Sequence, residues 1–95
     1  MIEKIISKLR RNKVILKEKY NVKSIQIFGS YIRGEQKKGS DLDVLVEFYE
    51  TIDLFKFMEL EAFLSEKLGM KVDLVMKDTL KPRIKERILK EAVTV

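Results

Sequence analysis

Three aspartates stand where aspartate is out of character. Asp41 and Asp43 flank Leu42 in a segment that alternates like a strand (DLDVLVEF, residues 41–48). Asp73 is the one charge inside Val72-Asp73-Leu74-Val75-Met76. Aspartate is a poor strand former, so these positions need a reason. Two residues apart on a strand, Asp41 and Asp43 leave the same face with Cα atoms about 6.6–6.8 Å apart. Their side chains can converge from there on one divalent ion or a close pair of ions. Leu42, Val44, Val46 and Phe48 mark the opposite, apolar face, which leaves Asp41, Asp43, Leu45 and Glu47 on an open or ligand-facing one. If residues 71–76 pair beside 41–48, Asp73 joins the acids there. Three carboxylates on one face repel strongly unless a cation lies between them. The pair alone reads equally well as a solvated strand face; the conjunction of three favours a metal site.

A second cluster of signals precedes the first acid. Gly29, Gly34 and Gly39 are three of the four glycines and fall within eleven residues. Gly29 ends a β-rich run (VKSIQIF, 22–28) and opens what reads as a short helical turn at 30–35. A glycine there lets backbone approach a ligand, and the N–H groups that follow suit a phosphate, with the Ser30 hydroxyl as a further donor. Taken alone, Gly29-Ser30 is better read as an ordinary strand-to-helix turn. Arg33 is either a phosphate contact or the partner of a nearby acid. Ser40 is either a turn residue or a phosphate ligand.

The remaining composition narrows the chemistry. No Cys and no His occur among the 95 residues, which excludes thiolate nucleophiles, disulfides and Cys/His zinc sites. A metal here is held by oxygen and is of the Mg²⁺, Mn²⁺ or Ca²⁺ kind. The start of the chain lacks the apolar run of a signal peptide, and no stretch approaches membrane-spanning length, so the expectation is a cytoplasmic protein with no membrane partner. The net charge of +5 gathers in residues 1–23, whereas residues 47–66 are acidic. The basic end is read as a solvated helix face rather than as a surface for direct nucleic-acid binding.

The elements that must position these residues follow from periodicity. Ile2, Ile5, Ile6, Leu9 and Leu16 define one stripe of a helix over 2–19, which Val14 and Ile15 widen. Strands are expected at 22–28, 41–48 and 71–76. A helix over 53–68 has Asp53 as N-cap and Gly69 as its C′ residue. Pro82 opens a last helix over about 81–92, with Ile84, Ile88 and Leu89 inward. With 95 residues the chain is expected to form a single domain, 1–95. The fold class is α+β, a small mixed sheet with helices on one face.

The motif Gly-Ser, ten residues, Asp-x-Asp is present as Gly29-Ser30 and Asp41-Leu42-Asp43. Its longer form is Gly29-Ser30-Tyr31-Ile32-Arg33-Gly34 followed by Ser40-Asp41-Leu42-Asp43. This resembles the minimal nucleotidyltransferase (MNT) branch of the polymerase-β-type nucleotidyltransferase superfamily, and the likeness extends to Asp73 and the basic C-terminal helix. The resemblance implies a nucleotidyltransferase fold, Mg²⁺ (two ions) as cofactor and ATP as substrate. It implies that Asp41, Asp43 and Asp73 hold the metal, that Asp73 is the general base, and that Gly29 and Ser30 bind phosphates, with Arg33 and Ser40 as further contacts.

A chain of this length has little room for an acceptor-binding domain, so the acceptor must come from another protein or from a site built by a homodimer. The resemblance implies a helical HEPN-type toxin as partner, and an antitoxin that transfers AMP from ATP to one of its tyrosines. Two other readings stay open. One is a non-catalytic antitoxin that masks its partner by contact alone. The other is an adenylyltransferase acting on a small molecule. In the leading reading, side chains near Phe48, Tyr49 and Phe55 either supply apolar contact to the helical partner or simply complete the core.

Overall fold

In the computed structural model, which describes residues Met1–Val95, the alternating segments form β1 (Val22–Phe28), β2 (Leu42–Phe48) and β3 (Val72–Met76). A two-residue strand that the pattern does not announce, β4 (Val93–Thr94), completes a sheet of order β3-β2-β1-β4. The β1–β2 and β1–β4 pairs are antiparallel and the β2–β3 pair is parallel, so the sheet is mixed.

Period-two alternation gives this sheet two chemically distinct faces. On one, Ile25 and Ile27 of β1, Leu42, Val44 and Val46 of β2, and Val72 and Leu74 of β3 are buried. Three helices close over them: α1 (Ile2–Arg11) with Ile5 and Leu9, α2 (Lys13–Tyr20) with Leu16 and Tyr20, and α4 (Leu54–Leu68) with Leu60, Leu64 and Leu68. Each such side chain contributes about 1.5–3 kcal/mol by leaving water.

The other face is built in rows fixed by register. Phe28, Asp43 and Asp73 form one row; Gln26, Leu45 and Val75, with Thr94 beyond Gln26, form the next. Leu45 was expected among the open positions, yet it is only 1% exposed. It lies on a central strand, flanked in register by Gln26 and Val75, and these neighbours screen it laterally.

The expected helix over 2–19 divides at Asn12. Asn12 leaves helical geometry (φ −104°, ψ 9°), and its side-chain amide donates to the Lys8 carbonyl at 2.7 Å. A side chain bonding its own backbone in this way competes with the helical ladder. Val14 and Ile15 do not widen the buried stripe; both are exposed.

Helix α4 begins and ends where its caps place it. The Asp53 carboxylate accepts from the Lys56 N–H at 2.8 Å, and Gly69 closes the helix in the left-handed region. Helix α5 (Pro82–Glu91) starts with Pro82 in its first turn but fully buries no side chain, and Ile84, expected inward, is exposed. This helix lies at the margin of the sheet, packed chiefly on β1, and its chain then turns into β4.

Strand β3 is an edge, but two of its outward backbone donors are used. The Val72 N–H donates to Ser65 Oγ at 3.1 Å and the Leu74 N–H to Glu61 Oε2 at 3.0 Å, both acceptors being on α4. Asp73 sits between these two bonds.

Candidate active site

The site begins at the end of β1. Gly29 has φ +83°, a region that L side chains rarely adopt, and is itself buried. A Cβ placed on it would fall on Asp43 Oδ2, with Asp43 Cγ at 3.0 Å. The glycine is therefore required twice, by its dihedral and by the carboxylate beside it. Helix α3 (Ser30–Arg33), a single turn, follows at once, with the Ile32 and Arg33 N–H groups returning to the Gly29 carbonyl. Ser30 is thereby held next to the first row of the polar face.

Register brings the acids together. Asp43 and Asp73 are direct partners across the β2–β3 ladder, and Asp41 lies two residues upstream of Asp43 at the entry to β2. Burial pushes the Asp43 carboxyl above the usual carboxylate range, and the Asp73 charge, a hydrogen bond with Asp73 and the Asp41 charge push the same way; Arg33 opposes them. Asp41 has a distant cation, Lys71 Nζ at 4.0 Å. Neither Asp43 nor Asp73 has an ion-pair partner among the salt bridges of the chain.

The donor set fits a hard divalent cation. It consists of carboxylate oxygens only, and a cation would relieve the like-charge crowding that raises Asp43. In the side-chain positions seen, no three acids stand close enough to ligate one ion. Ligation by all three therefore takes side-chain rotation, which the half-buried Asp41 and the exposed Asp73 are free to make.

Arg33 and Ser40 are engaged elsewhere. Arg33 Nε donates to Glu35 and its Nη1 to both oxygens of Glu91, at 3.0 and 3.2 Å; these acids hold the guanidinium above its ordinary pKa. The Ser40 hydroxyl accepts from the Lys37 N–H at 2.8 Å and closes the polar loop. Both residues take the ordinary alternatives that the sequence left open, within reach of the loop rather than aimed at the acids.

Glu91 is the residue that sequence reasoning missed. Its Oε1 accepts from the Gly29 N–H at 2.9 Å, and this bond, with the Arg33 contact, keeps its carboxyl below the usual range. The one signal available was an arginine in a glycine-rich loop that needed an acid.

A mixed sheet with a glycine turn at the end of one strand and paired aspartates on the next two defines a nucleotidyltransferase, and the chain belongs to the nucleotidyltransferase domain family, which matches residues 9–95. Within that family its relatives are small. A Methanocaldococcus jannaschii protein provisionally named a protein adenylyltransferase is 58% identical over 95 residues, covering 99% of this chain and 97% of that one. The protein adenylyltransferase MntA of Thermococcus cleftensis is 49% identical over 94 residues, covering 99% and 95%. The fold matches the solved structure of a provisionally assigned minimal nucleotidyltransferase with a TM-score of 0.77 and 33% identity, over 96% of this chain and 95% of that one. A toxin–antitoxin structure with AMP-PNP matches at 0.71 and 29%, over 97% and 69%. A tri-AMPylated Shewanella oneidensis HEPN toxin in complex with an MNT antitoxin matches at 0.62 and 26%, over 90% and 68%. The resemblance carried by the sequence motif and the α+β fold are thus both borne out. No helix is long and apolar enough to cross a membrane.

Proposed function

We propose that this chain is a Mg²⁺-dependent protein adenylyltransferase of the antitoxin kind, transferring AMP from ATP to a tyrosine of a helical HEPN-type toxin. The observation that carries this reading is the pairing of Asp43 with Asp73 beside Gly29, an all-oxygen site against a turn suited to phosphate. The relatives named protein adenylyltransferase support the activity, and the AMPylated complex supports the partner.

Asp41, Asp43 and Asp73 would hold the metal, which when bound supplies neutralising charge and alignment for the attacking and leaving oxygens. The Ser30 hydroxyl and the free N–H groups that follow Gly29 bind the β- and γ-phosphates, while the Gly29 N–H itself is held by Glu91. The tyrosine oxygen forms its bond to the α-phosphorus as the bond from that phosphorus to the bridging oxygen of pyrophosphate breaks. Asp73, exposed and free of any ion pair, accepts the phenolic proton. Arg33, paired with Glu35 and Glu91, and Ser40, bonded to the Lys37 N–H, would act by ordering the turn and loop beside the nucleotide.

The surface offers apolar contact for a partner. Phe55 is 82% exposed and Tyr49 55%, whereas Phe48 packs edge-on against Phe57 and belongs to the core. The experiment is incubation of the chain with its co-purified helical partner, ATP and Mg²⁺, followed by peptide mass spectrometry. AMP on a partner tyrosine is the expected result. A partner that is inhibited but never modified would favour masking by contact.

A further inference from the structure

We infer that Glu91 is the positioning residue of the glycine turn: its single carboxylate holds the Gly29 N–H and the Arg33 guanidinium, both ends of α3, and so sets where Ser30 stands relative to the aspartates. The inference deepens the nucleotidyltransferase reading and rests on it.

A four-residue helix cannot order itself, because nucleating a helical turn costs more than its few hydrogen bonds return. The turn at Ser30–Arg33 therefore depends on what fixes its ends. At its start, Gly29 donates to Glu91 Oε1 at 2.9 Å; at its finish, Arg33 Nη1 reaches Oε1 at 3.0 Å and Oε2 at 3.2 Å. Glu91 is in turn placed by the sheet. It is the last residue of α5, and two residues later Val93 and Thr94 pair with Ile27 and Gln26, just upstream of Gly29. The C-terminal strand and the turn are thus two sides of one closed loop, with the carboxylate as the link across it.

The tie also controls a charge. Arg33 lies close enough to Asp43 to act on it, yet its Nε and Nη1 donors are spent on Glu35 and Glu91. With Glu91 removed, part of that guanidinium is released beside the very acids that have no ion pair of their own.

The test uses the full chain with Glu91→Ala, Glu91→Asp and Glu91→Gln, and Glu86→Gln as a control on the same helix, where Glu86 is exposed and pairs only with Lys90. ATP affinity is measured by calorimetry with Mg²⁺, and backbone amide exchange by NMR without nucleotide. Glu91→Ala and Glu91→Asp, which lose the acceptor or its reach, are expected to weaken ATP binding about tenfold. They should speed exchange at Gly29 while the Gln26 and Leu45 amides, paired across β1 and β2, stay protected. Glu91→Gln keeps an acceptor of the same length and should retain most of the affinity, and Glu86→Gln should match the wild type. Undiminished ATP binding by Glu91→Ala in a chain whose wild type binds ATP overturns the inference alone, as does exchange that rises throughout β1. A wild type that binds no ATP overturns the underlying reading as well.

Discussion

Asp43 and Asp73 face each other across a parallel ladder, in direct register, with no basic side chain paired to either. Burial first, and then the Asp73 charge beside it, disfavours the Asp43 carboxylate, and its pKa is raised. Because the folded value lies above the unfolded one, the native state holds its proton more tightly. Stability from this group is complete below the ordinary carboxylate range and is lost as pH rises through the folded value. Asp43→Asn should therefore raise the melting temperature at neutral pH, with a gain that vanishes in acid. The same substitution should abolish nucleotidyl transfer. Thermal melts across pH with a transfer assay check both, and a neutral-pH Tm below that of the wild type would count against a destabilising Asp43 carboxylate.

Asp73 has a separate role. Asp73→Asn should lower turnover by at least about a hundredfold, the scale of a lost general base. ATP affinity should fall much less, because in this reading the phosphates are held at Ser30 and the turn that follows Gly29. Comparing calorimetric affinity with single-turnover rates separates the two, and equal losses in both would remove Asp73 from the proton transfer.

Gly29→Ala meets two obstacles, a left-handed φ and the Asp43 carboxylate. A loss of about 1–3 kcal/mol in denaturant-derived stability is expected from backbone strain of this kind. Adding Asp43→Gly should recover part of that loss by clearing the space, and no recovery would mean that the dihedral alone is responsible.

Binding to the native state stabilises it by mass action. At a hundredfold excess over Kd, ATP with Mg²⁺ should add about 2.7 kcal/mol and raise Tm by on the order of 10 °C. ATP with a chelator should do far less. An equal shift with and without the cation would detach the acids from nucleotide binding.

Asp53 caps α4 far along the sheet from the aspartates. Asp53→Ala should cost about 1 kcal/mol of stability through the lost bond to the Lys56 N–H. ATP affinity should stay as in the wild type, which makes this variant a control for changes that act only through the fold.

Much of this architecture could be read from residue order because its signals are local. Alternation placed three strands, Asp53 and Gly69 bracketed α4, and the period of two put Asp43 and Asp73 on one face once their strands were paired. What escaped was non-local. Glu91 reaches Gly29 across 62 positions, and nothing in a helix of alternating Lys, Arg and Glu marks one acid as the one that folds back. Strand β4 is two residues long, too short for any periodicity to show. The break at Asn12 was hidden because Leu9 and Leu16 keep one stripe through it. Leu45 was misplaced because alternation says which face a side chain takes, not whether its neighbours cover it.

The α4 side chains that cap Val72 and Leu74 have a further consequence for assembly. A strand edge with free donors is a template on which another chain can extend the sheet. Here Ser65 and Glu61 have taken the donors of Val72 and Leu74 along β3, and on the opposite margin the two residues of β4 pair over part of β1. Growth by strand addition is hindered at both margins. That shifts selection of a partner toward shape and charge and away from the generic hydrogen bonding of backbone.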